Sequence, residues 1–323
     1  MSAPLCDDRR ARAESLIPHT SYPVPHRPHC YPSASVISSL DGVSLAHHHA
    51  HVGETSIHYV EAGEGPLVVL LHGFPEFWYS WRHQIPALVR AGFRVIAPDL
   101  RGYNDSSKPK PIDAYRIAAI VQDVAGLIVQ SGDVPCTLVG HDWGGVVAWL
   151  LPMLHPELVE KLIVMNSPHP VPLARELKRS KEQKVRMLYQ VAMQPPLFPE
   201  LLMRAFGFAF LRAMIRRMGN FDARELKQYV EAWKKPGALS GMTNYYRALR
   251  RHRRELRPLI RPISIPTLLV WGEQDPVFTH ATTENFHDYV PDLRIERIAE
   301  SGHFVQSEAP DRVNRAVIDF LKG

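Results

Sequence analysis

A short stretch near the middle of the chain constrains its fold more than any other feature. The apolar run 136–139 ends at Gly140, and a helix-like pattern begins at Gly144. A lone carboxylate, Asp142, stands between them, with glycine two residues before it and again two and three residues after it. Glycines at these positions allow two backbone segments to approach closely in a sharp turn from a strand into a helix. The stretch therefore predicts a nucleophile elbow that carries aspartate where serine is usual.

The predicted elbow lies within a longer alternation of strand-like and helix-like segments. A half-buried strand is predicted at 55–61, and further strands at 67–71, 93–97, 136–139, 162–165, 266–271 and 293–298. Helical spacing is found at 77–91, 115–130, 143–154, 281–289 and 311–321. Such alternation is typical of a mostly parallel sheet with helices on both faces, so we predict an α/β fold.

The alternation stops in the second half of the chain. Residues 172–262 contain only helix-like segments, near 184–193, 200–218, 222–234 and 239–250. We therefore predict four parts: a proline- and histidine-rich N-terminal extension at 1–40, a first part of the α/β core at 41–170, an inserted all-helical domain at 171–262, and a second part of the core at 263–323.

Charge sets the insertion apart from the rest of the chain, whose overall net charge is +5. Residues 171–262 hold 21 Lys and Arg against 7 Asp and Glu, a balance of +14, which leaves 17 minus 26, or −9, for the remainder. Such a basic surface is commonly a set of solvated helix faces, and the alternative is contact with anionic substrates or a membrane surface. The apolar segment 201–218, edged by four arginines, predicts a helix that covers a substrate tunnel or, alternatively, lies in a lipid interface.

Cysteine usage and hydropathy bear on the compartment. The three cysteines, Cys6, Cys30 and Cys136, have unrelated spacings that match neither a disulfide framework nor a zinc site. No apolar stretch is long enough to cross a bilayer, and the N-terminus lacks the pattern of a signal peptide. We therefore expect a reducing compartment, the cytoplasm, with a peripheral position at membranes as the alternative. The histidine run at 47–51 would place its side chains on alternating faces of a strand, so we predict no metal site.

Four loops that follow predicted strands carry the reactive side chains. The loops contain the segment His72–Pro75, then Asp142, Asp275 and His303. Because functional residues of open parallel sheets lie beyond the carboxyl ends of the strands, we expect these side chains to lie close together. Their order along the chain is nucleophile, acid and histidine, which is the order of one known type of hydrolase triad.

The three triad residues have roles that follow from their chemistry. Asp142 would attack an electrophilic carbon and form an ester. His303 would take a proton from the water that hydrolyses this ester, and Asp275 would orient the imidazole and stabilise its charge. Glu273 is the alternative to Asp275. Asn166 follows another predicted strand, but an amide cannot serve as the acid.

The first loop would supply part of an oxyanion hole. His72, Gly73 and Pro75 form a His-Gly-x-Pro motif. An oxyanion develops when the ester is hydrolysed, and the backbone N–H groups of Phe74 and Trp143 are placed to bind it. A cis peptide before Pro75 would turn the Phe74 N–H inward.

From about Gly53 to its end, the chain resembles the α/β-hydrolase fold family, specifically the epoxide hydrolase branch. The resemblance rests on His-Gly-Phe-Pro-Glu-Phe-Trp-Tyr-Ser-Trp at 72–81 and Gly-His-Asp-Trp-Gly-Gly at 140–145. It implies that the insertion is a lid and that water converts a small epoxide to a vicinal diol without metal or organic cofactor. It also implies that Tyr189 and Tyr246 of the lid donate hydrogen bonds to the epoxide oxygen, with Tyr245 as the alternative to Tyr246.

Two other functions stay open at this point. Haloalkane and haloacid dehalogenases share the aspartate nucleophile, but the former often have asparagine in the His-Gly-x-Pro motif or a second lid tryptophan. This chain has Phe74 in the motif and one lid tryptophan, Trp233. Fluoroacetate dehalogenases usually carry arginine where Trp143 stands. The other function is a non-catalytic or membrane-associated binding protein on a hydrolase scaffold. We predict no nucleic-acid partner and leave the oligomeric state undetermined.

Overall fold

One sheet of eight strands forms the centre of the protein. The computed structural model describes residues 37–217 and 221–323, so most of the extension predicted at 1–40, and Met218 at the end of a predicted helix, lie outside the described residues. The strands are β1 Ala46–Val52, β2 Thr55–Ala62, β3 Leu67–Leu71, β4 Arg94–Pro98, β5 Cys136–His141, β6 Val159–Met165, β7 Thr267–Gly272 and β8 Leu293–Ile298. A short antiparallel pair, Ser39–Leu40 and Val43–Ser44, precedes them.

The strand order confirms the predicted α/β fold. Across the sheet the order is β1, β2, β4, β3, β5, β6, β7, β8. Strand β2 pairs antiparallel with β1 and β4, and every other neighbouring pair is parallel. Strands β3, β5 and β7 are buried along their whole length. This burial follows from the helices that flank the sheet, because a covered parallel strand has no solvent face.

Helices connect the strands and also form the insertion. Before the insertion come α1 Gln84–Arg90, α2 Ile117–Ser131 and α3 Trp143–Leu154. Between β6 and β7 the described residues form helices and no strand: α4 Pro170–Arg179, α5 Lys181–Arg186, α6 Tyr189–Ala192, α7 Phe198–Arg217, α8 Ala223–Lys234 and α9 Ala238–Leu256. Helices α10 Val305–Glu308 and α11 Pro310–Lys322 end the chain. None of the described helices is long and apolar enough to cross a bilayer.

Three predicted helices differ from the observed ones. The segment 77–91 forms a 3₁₀ turn at Trp78–Trp81 and then α1, which starts so that Pro86 falls in its first turn, where no N–H bond is needed. The segment 281–289 forms only a 3₁₀ turn, and Asn285 then takes a left-handed φ of 55° that ends it. The segment 184–193 is split into α5 and α6.

Two further differences concern the insertion. Helix α7 is not continuous, because Ala205–Phe208 have non-helical backbone around Gly207, the residue with the poorest helix propensity in the interior of the helix. Helix α4 was not expected, since its prolines signal a turn. Pro170 stands at the first helical position, where proline is tolerated, and His169 caps the helix by accepting the Val171 N–H.

The histidine run lies on β1 with its side chains on alternating faces. His47 and His49 each lie with ring centroids 5.2 Å from the ring of His58 on β2. His48 lies on the opposite face, 5.2 Å from the ring of Tyr59. The alternation expected for adjacent residues of a strand is therefore observed.

Asp99, directly after β4, is a fully buried charge that organises the next loop. Its Oδ2 lies 2.6 Å from Nδ1 of His58, and it accepts the Trp78 N–H at 3.1 Å and the Asn104 amide at 2.9 Å. Burial would raise the pKa of Asp99, but the charge and hydrogen bond of His58 outweigh burial and lower the pKa to about 2. His58, Asp99 and Asp105 are the one group among residues 37–217 and 221–323 whose side-chain atoms lie close enough together to hold a metal ion. Nδ1 of His58 and Oδ2 of Asp99 are already paired with each other.

We expect Asp99→Asn to remove an acid-sensitive part of the stability. Because the pKa of Asp99 is lowered from 3.8, its contribution is complete above about pH 4 and is lost as the pH falls toward about 2. The unfolding free energy of the wild type should therefore fall by about 2 kcal/mol more than that of the variant over this range, measured by urea titration. Asp319→Asn, on the exposed side of α11, is the control and should behave like the wild type. Equal losses for the wild type and Asp99→Asn would contradict this role.

Candidate active site

Asp142 lies in the sharp turn between β5 and α3. Its backbone has φ 50° and ψ −117°, a combination that residues other than glycine rarely adopt. The turn is crowded, because a methyl group on Gly144 would overlap the carbonyl oxygen of Leu71 at the end of β3. Only glycine fits there. The strand-turn-helix geometry predicted from this stretch is the geometry observed.

The side chains of Asp142, Asp275 and His303 meet at the carboxyl edge of the sheet. His303 Nδ1 lies 2.8 Å from Oδ2 of Asp275. Its Nε2 lies 3.6 Å from Oδ2 of Asp142. The imidazole therefore faces one carboxylate with each ring nitrogen, and all three side chains are buried. The structure brings together residues from three distant loops.

Asp275 is held by donors on both of its oxygens. Its Oδ1 accepts two backbone N–H groups of the following loop, at 2.6 and 3.1 Å. Its Oδ2 accepts the side-chain amide of Asn166 at 2.8 Å, in addition to His303. Asn166 therefore acts on the triad through Asp275, a role that its position at a strand end did not reveal. Glu273 is exposed and lies 3.6 Å from His280, so the structure does not support it as the acid.

The charges of the triad stabilise one another. Burial would raise the pKa of Asp142, but the neighbouring imidazole of His303 outweighs it and the pKa lies below its ordinary value. Burial would likewise lower the pKa of His303, but the charges of Asp275 and Asp142 raise it well above the ordinary value. The resting site therefore holds an ionised nucleophile beside a protonated imidazole.

The His72–Pro75 loop packs directly against the nucleophile. The Phe74 N–H donates to Oδ1 of Asp142 at 2.7 Å, and the Phe74–Pro75 peptide is cis, as expected. A methyl group on Gly73 would overlap the Asp142 side chain. His72 is buried and fixes the loop: its Nε2 accepts a backbone N–H of the loop after β4, and its Nδ1 donates to the Gly73 carbonyl, both at 3.0 Å.

Trp143 stands between the nucleophile and the lid. Its N–H is at the first position of α3, where a helix offers no internal acceptor. Its ring lies 5.1 Å from the ring of Tyr246, which in turn lies 5.8 Å from the ring of Tyr189. The neighbouring Tyr245 is turned elsewhere, because its hydroxyl donates to the Arg101 carbonyl at 2.7 Å. The geometry therefore favours Tyr246 over Tyr245 as a residue that faces the site.

The two facing tyrosines have the protonation that a donor needs. Burial raises the pKa of Tyr189 and that of Tyr246, and the negative charge of Asp142 adds to the effect on each. Both hydroxyls therefore keep their protons at neutral pH. The ring of Tyr246 lies 5.5 Å from the ring of Phe74, whose N–H bonds to Asp142, so this tyrosine lies close to the nucleophile.

A buried polar network next to the triad was missed by sequence analysis. Glu76 accepts the hydroxyl of Tyr229 and the amide of Gln306, each at 3.1 Å, and lies 3.2 Å from Nδ1 of His141. Nε2 of His141 lies 2.8 Å from the backbone carbonyl oxygen of His303, to which it donates. Glu76 and His141 stand inside the motifs at 72–81 and 140–145. The signal that could have found them is a polar residue within a segment predicted to be buried, since such a group needs a partner.

Helix α8 of the insertion is fastened to the core beside the site. Trp233 donates its indole N–H to the Pro75 carbonyl at 2.7 Å. Arg82, in the core, forms a partly buried ion pair with Glu225. Because the one lid tryptophan is committed to a backbone carbonyl, its N–H is not free to bind a halide.

Comparison with known proteins identifies the family of the chain. The profile of a family described as the alpha/beta hydrolase fold matches residues 66–310. The chain is 39% identical over 288 residues to the AB hydrolase superfamily protein YfhM of Bacillus subtilis (strain 168), covering 88% of this chain and 99% of that protein. It is 37% identical over 282 residues to Epoxide hydrolase 4 of Mus musculus, covering 82% of this chain and 76% of the relative.

A solved structure extends the likeness to three dimensions. It is a variant of an epoxide hydrolase from Bacillus megaterium, complexed with its naphthyloxy-propane-1,2-diol product. Its TM-score to this chain is 0.79 at 34% identity, and the match covers 85% of this chain and 100% of the other. Sequence, fold and site geometry thus lead to one conclusion: the chain belongs to the α/β-hydrolase fold family, in its epoxide hydrolase branch.

Proposed function

We propose that this protein hydrolyses a small-molecule epoxide to a vicinal diol through a covalent ester on Asp142. The observation that carries the proposal is the position of this carboxylate between a base and two acids. His303 Nε2 lies 3.6 Å from its Oδ2, and the ring of Tyr246 packs against Trp143, the residue after Asp142, and against Tyr189. The epoxide hydrolase relatives support the same reaction class.

In the first step a carboxylate oxygen of Asp142 attacks one carbon of the epoxide. A carbon–oxygen bond of the strained ring breaks, and the departing oxygen takes a proton from Tyr189 or Tyr246. The product is an ester between Asp142 and the alkyl carbon, with a hydroxyl group on the neighbouring carbon. Two phenol donors suit a leaving oxygen that would otherwise depart as an alkoxide.

In the second step water attacks the carbonyl carbon of the ester. His303 takes the water proton, and Asp275 stabilises the imidazolium that forms. Oδ1 of Asp142 becomes the oxyanion, for which the Phe74 N–H already lies 2.7 Å away and the Trp143 N–H is the second donor. Collapse of this intermediate breaks the bond between the ester carbon and the diol oxygen, which takes the second proton of the attacking water, and one oxygen of the water remains in Asp142.

The first step prepares the base for the second. In the resting site the negative charge of Asp142 contributes to the raised pKa of His303. Esterification removes that charge, so the pKa of His303 falls, its proton passes to the tyrosine that gave its own to the epoxide oxygen, and the imidazole becomes an acceptor. Formation of the ester thereby switches His303 from a charge partner to a general base.

A single turnover in heavy-oxygen water distinguishes the covalent route from direct attack by water. With enzyme in excess over styrene oxide, the first diol should contain no label, because its new oxygen comes from Asp142. The label should appear in the peptide that contains Asp142, measured by mass spectrometry after digestion. Asp142→Ala should produce neither diol nor labelled peptide. Label in the first diol, with none in the peptide, would exclude the ester.

The paired variants Tyr246→Phe and Tyr245→Phe test the assignment of the lid donor. We expect Tyr246→Phe to slow formation of the alkyl-enzyme by about a hundredfold, because a general acid is lost. Tyr245→Phe should leave this rate near that of the wild type and cost about 1 kcal/mol of stability, since only the bond to the Arg101 carbonyl is lost. Rapid-quench measurement separates ester formation from its hydrolysis. A larger rate loss in Tyr245→Phe would reverse the assignment.

A third measurement tests the proposed switch of His303. Asp142→Asn replaces the carboxylate by a neutral group, as the ester does, so the pKa of His303 should be lower in this variant than in the wild type. The pKa is read by NMR titration of labelled histidine. Glu273→Gln removes an exposed carboxylate instead and should leave the pKa of His303 unchanged. An unaltered pKa in Asp142→Asn would remove the basis for the switch.

Halide release is the rival activity for the same nucleophile. The Trp233 N–H donates to the Pro75 carbonyl and Phe74 stands in the motif, so neither of these two positions offers a side-chain donor to a halide. Assays with chloroalkanes, bromoalkanes and chloroacetate, run beside styrene oxide, compare the two reactions directly. We expect diol formation without halide release.

We also propose a reducing compartment, the cytoplasm, as the location of the protein. Cys136 is free and buried, and the three cysteines have no paired spacing. Thiol titration of the denatured protein, purified without reductant, should therefore find three free thiols.

A further inference from the structure

The exposed apolar surface of this protein is concentrated on one segment of the lid. In the part of the chain that the structure describes, every large apolar side chain with high exposure lies between residues 185 and 210, and we call this set the lid patch. Phe206 is 95% exposed, and Leu197 and Leu201 are 68% and 66% exposed. Single exposed apolar residues are ordinary, but a concentration of them marks a surface that meets another apolar phase.

The lid patch begins on the outer side of the segment that carries Tyr189. Val185, Leu188 and Val191 follow one another at intervals of three, and the N–H of each later residue bonds to the carbonyl of the one before. Such bonds place the three side chains on one face. Tyr189 lies on the same segment with its ring against Tyr246. One side of α6 thus faces the site while the other exposes apolar side chains.

A break in α7 turns a phenylalanine into solvent. Phe206 has φ 49° and ψ 43°, a left-handed conformation that is costly for an aromatic residue. Two residues later, Phe208 is buried. In water alone, the Phe206 ring stays exposed, so no free energy of burial offsets the cost of this backbone conformation. Transfer of the ring into an apolar phase would offset the cost.

The charges around the lid patch are almost all positive. Residues 181–217 contain 7 Lys and Arg and 2 Glu. Each of the glutamates is paired with an arginine at 2.7 Å. Arg204 and Arg216 are exposed and form no ion pair or hydrogen bond with any residue in the described ranges. The surface therefore offers unpaired positive charge beside exposed apolar side chains.

We propose that the lid patch docks on a bilayer surface that contains anionic phospholipid. The apolar side chains would enter the boundary of the acyl chains while Arg204 and Arg216 contact phosphates. A second copy of the chain fits less well, because residues 171–262 carry +14 and two such lids would repel each other. The docking goes beyond the proposed reaction and does not depend on it.

Vesicle flotation of the full chain tests the docking. The Asp142→Asn variant is used, so that the result is independent of any catalytic activity. It should float with vesicles of phosphatidylcholine and phosphatidylglycerol, remain unbound with phosphatidylcholine alone, and be released by high salt. Absence of binding to the anionic vesicles would overturn the proposal, and so would equal binding to both kinds.

Surface variants identify the residues responsible. Arg204→Gln combined with Arg216→Gln should weaken binding to the anionic vesicles by about thirtyfold, since each arginine near the surface contributes about fivefold. Phe206→Ser should weaken it by roughly tenfold. Arg315→Gln removes one exposed charge from α11 in the core and should leave the affinity within about twofold of the parent.

Two controls keep the interpretation clear. Thermal melting of each variant should match the parent, because the altered side chains are exposed. Sedimentation velocity without vesicles should show no self-association through the lid patch. If the lid variants and Arg315→Gln bind alike, the lid patch is not the docking surface. A dimer that Phe206→Ser abolishes, without vesicle binding by the parent, would assign the lid patch to a second copy and overturn the proposal.

Discussion

Crowding of backbone segments around Asp142 is the constraint on which the rest of the site depends. The turn between β5 and α3 holds Asp142 at φ 50° and ψ −117°, which costs on the order of 1–3 kcal/mol. The buried strands β3 and β5 fix both sides of the turn, and the absence of side chains at Gly73 and Gly144 lets the neighbouring segments close around it. The strained turn thus lies at the carboxyl ends of two fully buried strands, and it aims the carboxylate out of the strand ends.

Hydrogen bonding distinguishes the two carboxylates that face His303. Asp275 is held by backbone N–H groups and by Asn166, so its orientation is set independently of any substrate. Asp142 has one oxygen bound to the Phe74 N–H and the other facing the imidazole. Asp275, the carboxylate with more hydrogen bonds, suits the role of orienting group, and Asp142 suits that of the nucleophile. His141, which contacts Glu76, donates to the His303 carbonyl, and this hydrogen bond holds the backbone of His303 in position.

The insertion is attached to this frame by polar contacts that reach the core motifs. Trp233 bonds to the Pro75 carbonyl, and Tyr229 bonds to Glu76, so α8 contacts the loop that holds the nucleophile. The lid segment around α6 instead combines a tyrosine that faces the site with apolar side chains that face solvent. Both parts of the insertion contact the core, since Arg186 before α6 donates to the Asp275 and Phe278 carbonyls, but the segment around α6 also exposes apolar side chains to solvent.

The sequence by itself determined the α/β alternation, the turn at Asp142 and the edge at which Asp275 and His303 would meet, because strand runs, glycine spacing and strand ends are local properties. Only the tertiary structure favours Tyr246 over Tyr245 as the tyrosine that faces the site, since the Tyr245 hydroxyl bonds to a carbonyl at Arg101, 144 residues away along the chain. It alone revealed the contact of Glu76 with Gln306 and the break in α7. Hydrogen-bond partners of buried polar groups come from distant segments, so packing selects them and no local pattern specifies them.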